Sequence, residues 1–291
     1  MANDPITNFL QHHAPTGPFG MIIGHPVSHS LSPDMHNLAA SYHKIDFTYG
    51  KLDLTTEQLK TLPTLLQHPL FRGANITVPH KVDMMSIVDD FSDEALIIGA
   101  VNTIVVDHHK TIGYNTDAYG FLQPLLPYKD RLQGGSALIF GSGGATRALV
   151  YALNQLGMET IWLVARQPST IPVQEFFASK LIRTTSYLKW PQASSEIALI
   201  VNATPLGMTP DVETSPIDEA QKDALIGKIV YDIVYRPLET RLLKMAKQVQ
   251  ADIIDGVPML IHQGSKAFEL WNGKPFPIPL IDQKIRALLH A

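Results

Sequence analysis

The chain has 291 residues, 45% hydrophobic and 17% charged, with a net charge of −4 and no cysteine. That length exceeds one ordinary core and suggests two domains of roughly 150 residues each, and the apolar content excludes a disordered chain. Zero cysteine excludes disulfides, thiolate nucleophiles and Cys-ligated zinc or iron–sulfur centres. No Lys or Arg occurs before Lys44, so the N-terminal stretch carries neither a polybasic anchor nor a basic n-region, and no apolar run approaches about 18 residues. The expectation is a cytoplasmic protein that binds neither nucleic acid nor membrane.

Short β-rich runs alternate with amphipathic stretches along the chain, the pattern of α/β layering, with no internal repeat. Phe19–Gly24, Phe47–Leu54 and Gly73–Val78 are predicted strands, with helices opening at Pro33 and Thr56. Val101–Val106 and Thr111–Tyr114 flank the turn Asp107-His108-His109-Lys110 as a hairpin, and a helix opens near Asp117. Further predicted strands are Ser136–Phe140, Thr160–Val164, Ile197–Asn202, Lys228–Ile233 and Asp252–Asp255. The later helices are Thr146–Leu156, Glu239–Gln250, Met259–Trp271 and Leu280–His290. The residues before Phe19 receive no role.

The run Ser136–Phe140 is followed by Gly141-Ser142-Gly143-Gly144, then by the helical pattern, Gly157 and a second strand. Strand, glycine turn, helix and strand within about 30 residues form a βαβ unit of the dinucleotide-binding kind. The glycines remove side chains where backbone must turn tightly against a pyrophosphate, and the helix that follows offers amides and a positive dipole end. The pattern departs from G-x-G-x-x-G, reading Gly-x-Gly-Gly-x-x-x-Ala and ending at Ala148. At the end of the second strand, where an acid would hold the ribose diol of NAD, the sequence reads Val164-Ala165-Arg166-Gln167. A guanidinium there suits a 2′-phosphate and favours NADP; the competing reading of Arg166 is a solvated charge at a strand end.

Gly24-His25-Pro26-Val27-Ser28-His29-Ser30-Leu31-Ser32-Pro33 sets two hydroxyls just ahead of a favourable first helical residue. Ser32 has two readings: a helix N-cap, or part of a carboxylate site built from hydroxyls and the helix dipole. Six further segments follow in order: Gly73-Ala74-Asn75-Ile76-Thr77-Val78-Pro79-His80-Lys81, Gly99-Ala100-Val101-Asn102-Thr103, Gly113-Tyr114-Asn115-Thr116-Asp117, Asn202-Ala203-Thr204-Pro205-Leu206-Gly207-Met208, Tyr231-Asp232-Ile233-Val234-Tyr235, and Asp255-Gly256-Val257-Pro258-Met259-Leu260-Ile261-His262-Gln263-Gly264.

In these segments the chain resembles the shikimate dehydrogenase family. The resemblance implies an α/β fold of two lobes with a cleft between them: a substrate lobe of residues 1–116 and 256–291, and a Rossmann-like NADP lobe of residues 117–255. It implies that Ser30, Ser32 and Tyr235 bind the substrate carboxylate and that Asn75, Thr77, Asn102 and Gln263 hold ring hydroxyls. Lys81 and Asp117 would be the catalytic pair, also touching substrate. Gly141, Ser142, Gly143, Gly144, Ala145, Arg166, Thr204, Ile233, Gly256 and Met259 would meet the cofactor, Met259 near the nicotinamide. The implied activity is reversible, NADP-dependent reduction of 3-dehydroshikimate to shikimate in aromatic amino acid biosynthesis, by a monomer or homodimer.

Ketone reduction needs hydride at carbon, carried by the cofactor, and a proton at oxygen. The Lys81 ammonium suits the second task, stabilising a developing alkoxide and protonating it, with Asp117 orienting it. In one departure, the family's Asn-Arg-Thr becomes Ala165-Arg166-Gln167, leaving Arg166 fewer helpers. The nearest alternative is a quinate/shikimate dehydrogenase that accepts quinate and NAD; a more distant one is a ligand sensor without turnover, against which the retention of both Lys81 and Asp117 counts. The twelve histidines contain no H-E-x-x-H, and no metal site is expected. His80 is read as structural, its side chain directed away from that of Lys81 if the segment is extended.

Overall fold

A computed structural model describes residues 4–108, 110–176 and 181–290. In chain order the elements of the first part are α1 (Pro5–His12), β1 (Phe19–Gly24), α2 (Ser32–His43), β2 (Thr48–Asp53), α3 (Leu62–Leu66), β3 (Phe71–Ile76), β4 (Asp90–Phe91), α4 (Asp93–Ile98), β5 (Thr103–Asp107) and β6 (Lys110–Tyr114). The rest are α5 (Asp117–Leu122), α6 (Lys129–Leu132), β7 (Ser136–Phe140), α7 (Gly144–Gln155), β8 (Thr160–Ala165), β9 (Ile182–Ser186), β10 (Ile197–Asn202), β11 (Ile229–Asp232), α8 (Arg241–Gln248), β12 (Asp252–Ile254), α9 (Val257–Asn272) and α10 (Ile278–His290). Two compact units result: residues up to Thr116 with Gly264–Ile281, and Asp117–Gln263 with the residues from Asp282 on.

The first unit holds a six-stranded mixed sheet in the order β2-β1-β3-β5-β6-β4. β1 runs parallel to both β2 and β3, while β3–β5 and β5–β6 are antiparallel. The β5–β6 pair is the predicted hairpin; His109 of the predicted turn lies outside the described residues. β1 is buried along its whole length, and Phe19, Met21 and Ile23 join Leu62, Leu65, Phe71 and Ala74 in one core. That core also explains the N-terminal residues to which the sequence assigned no role. α1 is capped by Asp4, whose carboxylate accepts from the Thr7 amide, and it buries Ile6 completely. The helix predicted from Thr56 is instead a 3₁₀ turn followed by α3, because Thr55 and Gln58 close a capping box and Pro63 opens a fresh first turn.

The second unit holds six parallel strands in the order β12-β11-β10-β7-β8-β9. The order in which its strands are added reverses between β7 and β10, the switch point at which doubly wound sheets of the dinucleotide-binding kind take their ligand. Strands of such a sheet are covered on both faces, which is why β7, β10 and β11 read as nearly continuous apolar runs. Leu138, Phe140, Ile200, Val230, Leu242 and Trp190 pack together there with little or no exposure. Among the described residues no helix is long and apolar enough to cross a membrane.

Candidate functional site

The loop from β1 to α2 carries Ser30 and Ser32, whose hydroxyls lie 3.2 Å apart, and the Ser32 amide donates to Ser30 Oγ at 3.2 Å. Ser32 is the first residue of α2, behind an N-cap Leu31 that makes no side-chain bond, so the capping reading of Ser32 is corrected. What remains is a pair of facing hydroxyls at a helix start with Pro33 in its first turn, a setting that favours an anion. β2 holds this loop in two places. Asp53 Oδ1 lies 2.5 Å from His25 Nδ1 and Asp53 Oδ2 accepts from the Val27 amide, while Lys51 Nζ donates to the Ser28 carbonyl at 2.6 Å. The bond to His25 holds the Asp53 carboxyl below its ordinary range against the opposing effect of burial, with the Val27 amide adding to it.

Asn75 on β3 sits opposite Thr103 on β5 in the antiparallel register, and its Nδ2 donates to Thr103 Oγ1 at 3.1 Å. Its Oδ1 accepts from the Tyr49 hydroxyl at 2.6 Å. Asn102 Oδ1 accepts from the Thr116 amide at 2.7 Å and from Thr103 Oγ1 at 3.0 Å, while Asn102 Nδ2 donates to Thr116 Oγ1. Five side chains from β2, β3, β5 and the loops beside it thus form one buried polar network, in which each group is expensive to strip of its partner.

Thr77 follows β3 and anchors its end, its amide donating to Ile23 O. Residues 78–81 then turn, in contrast to the extended form under which His80 was expected to point away from Lys81. His80 is nevertheless structural: it is fully buried, with Nε2 2.6 Å from the Leu54 carbonyl and Nδ1 3.7 Å from the Asp83 carboxylate. Half-buried Lys81 has its carbonyl bonded to the Val101 amide at 2.8 Å, which ties its backbone to the residue before Asn102.

Asp117, buried, is the first residue of α5 and follows Thr116 directly. One turn later Gly120 lets α9 come close: a Cβ there would stand 2.8 Å from the Gln263 amide and from the Met259 carbonyl. Within this unit α5 is therefore packed on the turn of α9 bearing Met259 and Gln263, with Gln263 Nε2 bonded to Leu260 O and Met259 8% exposed.

Beyond β7, Gly141 takes φ +109 and its Cα faces Ala203 and Thr204, where a Cβ would lie 3.0 Å from the Ala203 carbonyl. The loops after β7 and β10 thus meet at the point where the strand order reverses. Ser142, Gly143 and Gly144 are exposed, a Cβ on either glycine would meet open space, and the first turn of α7, which begins at Gly144 and Ala145, has no side-chain cap. Arg166 is exposed just past β8, and its charge partly offsets the burial that raises the Tyr187 phenol. Asn202 at the end of β10 accepts from both the amide and hydroxyl of Thr204 and donates to Asp232 Oδ1 at 3.0 Å. Ile233 bonds through its amide to Asn202 O, and Gly256 passes so near it that a Cβ would lie 2.5 Å from the Ile233 carbonyl. Tyr235 is partly buried, which raises its phenol pKa against the opposing charge of Arg236.

Sequence reasoning missed Tyr49, His36, Thr103, Thr116 and Asp232 as site-building residues. Thr103, Thr116 and Asp232 lay inside quoted motifs and were within reach; Tyr49 and His36 carried no signal beyond their strand and helix. Among the described residues no cluster of three His, Asp or Glu side chains is arranged to hold a metal.

Residues 22–104 match the shikimate dehydrogenase substrate binding domain, and residues 256–286 the shikimate 5'-dehydrogenase C-terminal domain. The shikimate dehydrogenase (NADP(+)) of Symbiobacterium thermophilum is 38% identical over 281 residues, covering 92% of this chain and 94% of its own. The chain belongs to the shikimate dehydrogenase family. The family's enzyme from Thermus thermophilus, solved in complex with NADP(H) and shikimate, has a TM-score of 0.79 and 35% identity over 93% of this chain and 99% of its own. A quinate dehydrogenase from Corynebacterium glutamicum in complex with NAD has a TM-score of 0.84 and 28% identity, again over 93% and 99%.

Proposed function

We propose that this member of the shikimate dehydrogenase family is an NADP-dependent oxidoreductase that interconverts 3-dehydroshikimate and shikimate. The observation that carries the reading is the in-order retention of the family's motifs around one hydrogen-bonded frame: Lys81 O is bonded to Val101, Asn102 to Thr116, and Asp117 follows in the chain. The proposed division of labour gives residues 1–116 and 256–291 to substrate and 117–255 to the nucleotide. The enzyme is proposed to act in the cytoplasm, as a monomer or homodimer, on small molecules alone.

The residues at the reversal point of the parallel sheet fit a dinucleotide. Space stands open before Gly143 and Gly144, the start of α7 lacks a side-chain cap, and exposed Arg166 offers a fork for a 2′-phosphate. Gly141, Ser142, Gly143, Gly144, Ala145, Arg166, Thr204, Ile233, Gly256 and Met259 would hold NADP, which when bound exchanges hydride with a ring carbon.

The chain's own groups do the rest. Ser30, Ser32 and Tyr235 bind the carboxylate; Asn75, Thr77, Asn102 and Gln263 orient the ring through its oxygens. In the reducing direction Lys81 stabilises negative charge on the reacting oxygen and delivers its proton there, and in the oxidising direction it takes that proton. Asp117 orients the ammonium.

The likeness to an NAD-bound quinate dehydrogenase, together with Ala165 and Gln167 beside Arg166, supports a second reading with quinate and NAD as further substrates. Reduced-nicotinamide absorbance with shikimate or quinate, each with NADP or NAD, tests both. Shikimate with NADP is expected to give the highest kcat/KM. Equal rates with quinate and NAD would favour the second reading, and binding of shikimate without turnover at any pH would overturn both.

A further inference from the structure

The polarity of the buried network follows from one group that can only donate. The Thr116 backbone N–H meets Asn102 at 2.7 Å, so the amide atom there is the oxygen, and Asn102 Nδ2 then faces Thr116 Oγ1. Thr103 Oγ1 has two acceptors on that side, the same oxygen at 3.0 Å and Thr116 Oγ1 at 3.2 Å, and gives its single hydrogen to one of them. Having none left, Thr103 Oγ1 must accept from its neighbour on β3, so the Asn75 atom 3.1 Å away is nitrogen. The Asn75 oxygen is thereby turned to Tyr49, whose hydroxyl at 2.6 Å is the donor. Burial raises the Tyr49 phenol well above its ordinary range, keeping that proton in place. The ring is fixed too: it stacks on His36 at 4.1 Å and 9°, within an aromatic cluster that includes Trp271 and Phe276.

We infer that Tyr49 is a positioning residue for substrate: its buried hydroxyl locks the Asn75 carboxamide with oxygen toward β2 and nitrogen toward β5, fixing the hydrogen-bonding polarity that Asn75 offers a ring hydroxyl. This rests on the proposed role of Asn75 in binding shikimate. Without the phenol only the Thr103 contact opposes exchange of the carboxamide's two ends, and the exchanged orientation meets the ligand with the wrong group. Tyr49 is buried with its hydroxyl given to Asn75, so its effect belongs in KM.

The test is a double-mutant cycle of Tyr49→Phe and Asn75→Ala, read by KM for shikimate and kcat at saturating NADP, with the Asn75 side-chain ¹⁵N amide signal identified by its loss in Asn75→Ala. Tyr49→Phe keeps the ring and its stack. It is expected to raise KM about tenfold with kcat within about twofold, to add little on top of Asn75→Ala, and to broaden or double the Asn75 amide signal. Unchanged KM, additive effects or an unchanged amide signal overturns the proposal. If Asn75→Ala leaves KM unchanged while the native enzyme oxidises shikimate, the positioning role is lost and the dehydrogenase reading stands. If the native chain oxidises neither shikimate nor quinate, the functional reading fails, and the amide signal still decides whether Tyr49 orients Asn75. Should Tyr49→Phe fail to fold, Thr103→Val removes the other partner of Asn75, and there the Asn75 amide signal alone is read: a single sharp signal shows that Tyr49 suffices to hold the carboxamide, and a broadened or doubled one overturns the proposal.

Discussion

Replacing His36 by Phe should make the protein less sensitive to acid. His36 is completely enclosed, stacked on Tyr49 and edged by Phe276, and neither ring nitrogen has a hydrogen-bond partner. Burial lowers its pKa from 6.5 to about 3, outweighing the neighbouring Asn75 side chain, which raises it. A depressed histidine means that the unfolded chain binds a proton the folded chain refuses, so the associated stability is complete above about pH 6.5 and is lost as pH falls toward about 3. At roughly pH 4.5 the loss is two pH units' worth, about 3 kcal/mol, a large share of a typical total of about 5–15 kcal/mol. Urea unfolding of the native chain and of His36→Phe at about pH 7.5 and 4.5 measures it. The carboxylates held low, such as Asp53 and Asp89, titrate alike in both proteins and cancel in the comparison. The variant should lose about 3 kcal/mol less on acidification. Equal losses would refute the argument that His36 is folded only as the neutral ring.

Lys81→Ala should lower kcat by about 10³ with KM for shikimate within a few-fold, and a near-native kcat in steady-state assays would remove Lys81 from the chemistry. Ser30→Ala with Ser32→Ala should raise that KM by at least about tenfold, since each hydroxyl bond to a carboxylate is worth about 1.5–3 kcal/mol; an unchanged KM would leave the pair without a ligand. Arg166→Ala should raise KM for NADP about tenfold or more and leave that for NAD nearly unchanged, whereas equal effects on both would dissociate the guanidinium from a 2′-phosphate. Asp232, whose carboxyl burial lifts from 3.8 to about 6 against its bonds from Thr240, Val234 and Asn202, acts on stability in the opposite sense to His36. Its contribution is present below about pH 3.8 and lost as pH rises through about 6, so Asp232→Asn should cost the protein about 2 kcal/mol more than the native chain on going from pH 7 to 4. A matching pH dependence in urea melts would show that the carboxyl titrates normally.

What the sequence alone determined is whatever depends on neighbours along the chain. Phe19–Gly24, Ser136–Phe140 and Ile197–Asn202 are strands with the expected bounds, because an apolar run bounded by turn residues has little other use for its side chains. The glycine turn was legible for the same reason, and Ser30, Ser32, Lys81 and Asp117 could be singled out because each stands in a contiguous run that resembles a family motif. β9, α1 and α4 were not. Ile182–Ser186 is mostly polar and becomes a strand because β8 offers it an unpaired edge, and the eight residues of α1, too few to be stable alone, form where Ile6 finds a core to enter. The orientation of Asn75 was also beyond reach. A tyrosine on a strand and a histidine on a helix read identically whether they face water or a carboxamide. Tertiary packing decides, because only the removal of water leaves the Asn75 oxygen to the Tyr49 hydroxyl and keeps His36 neutral.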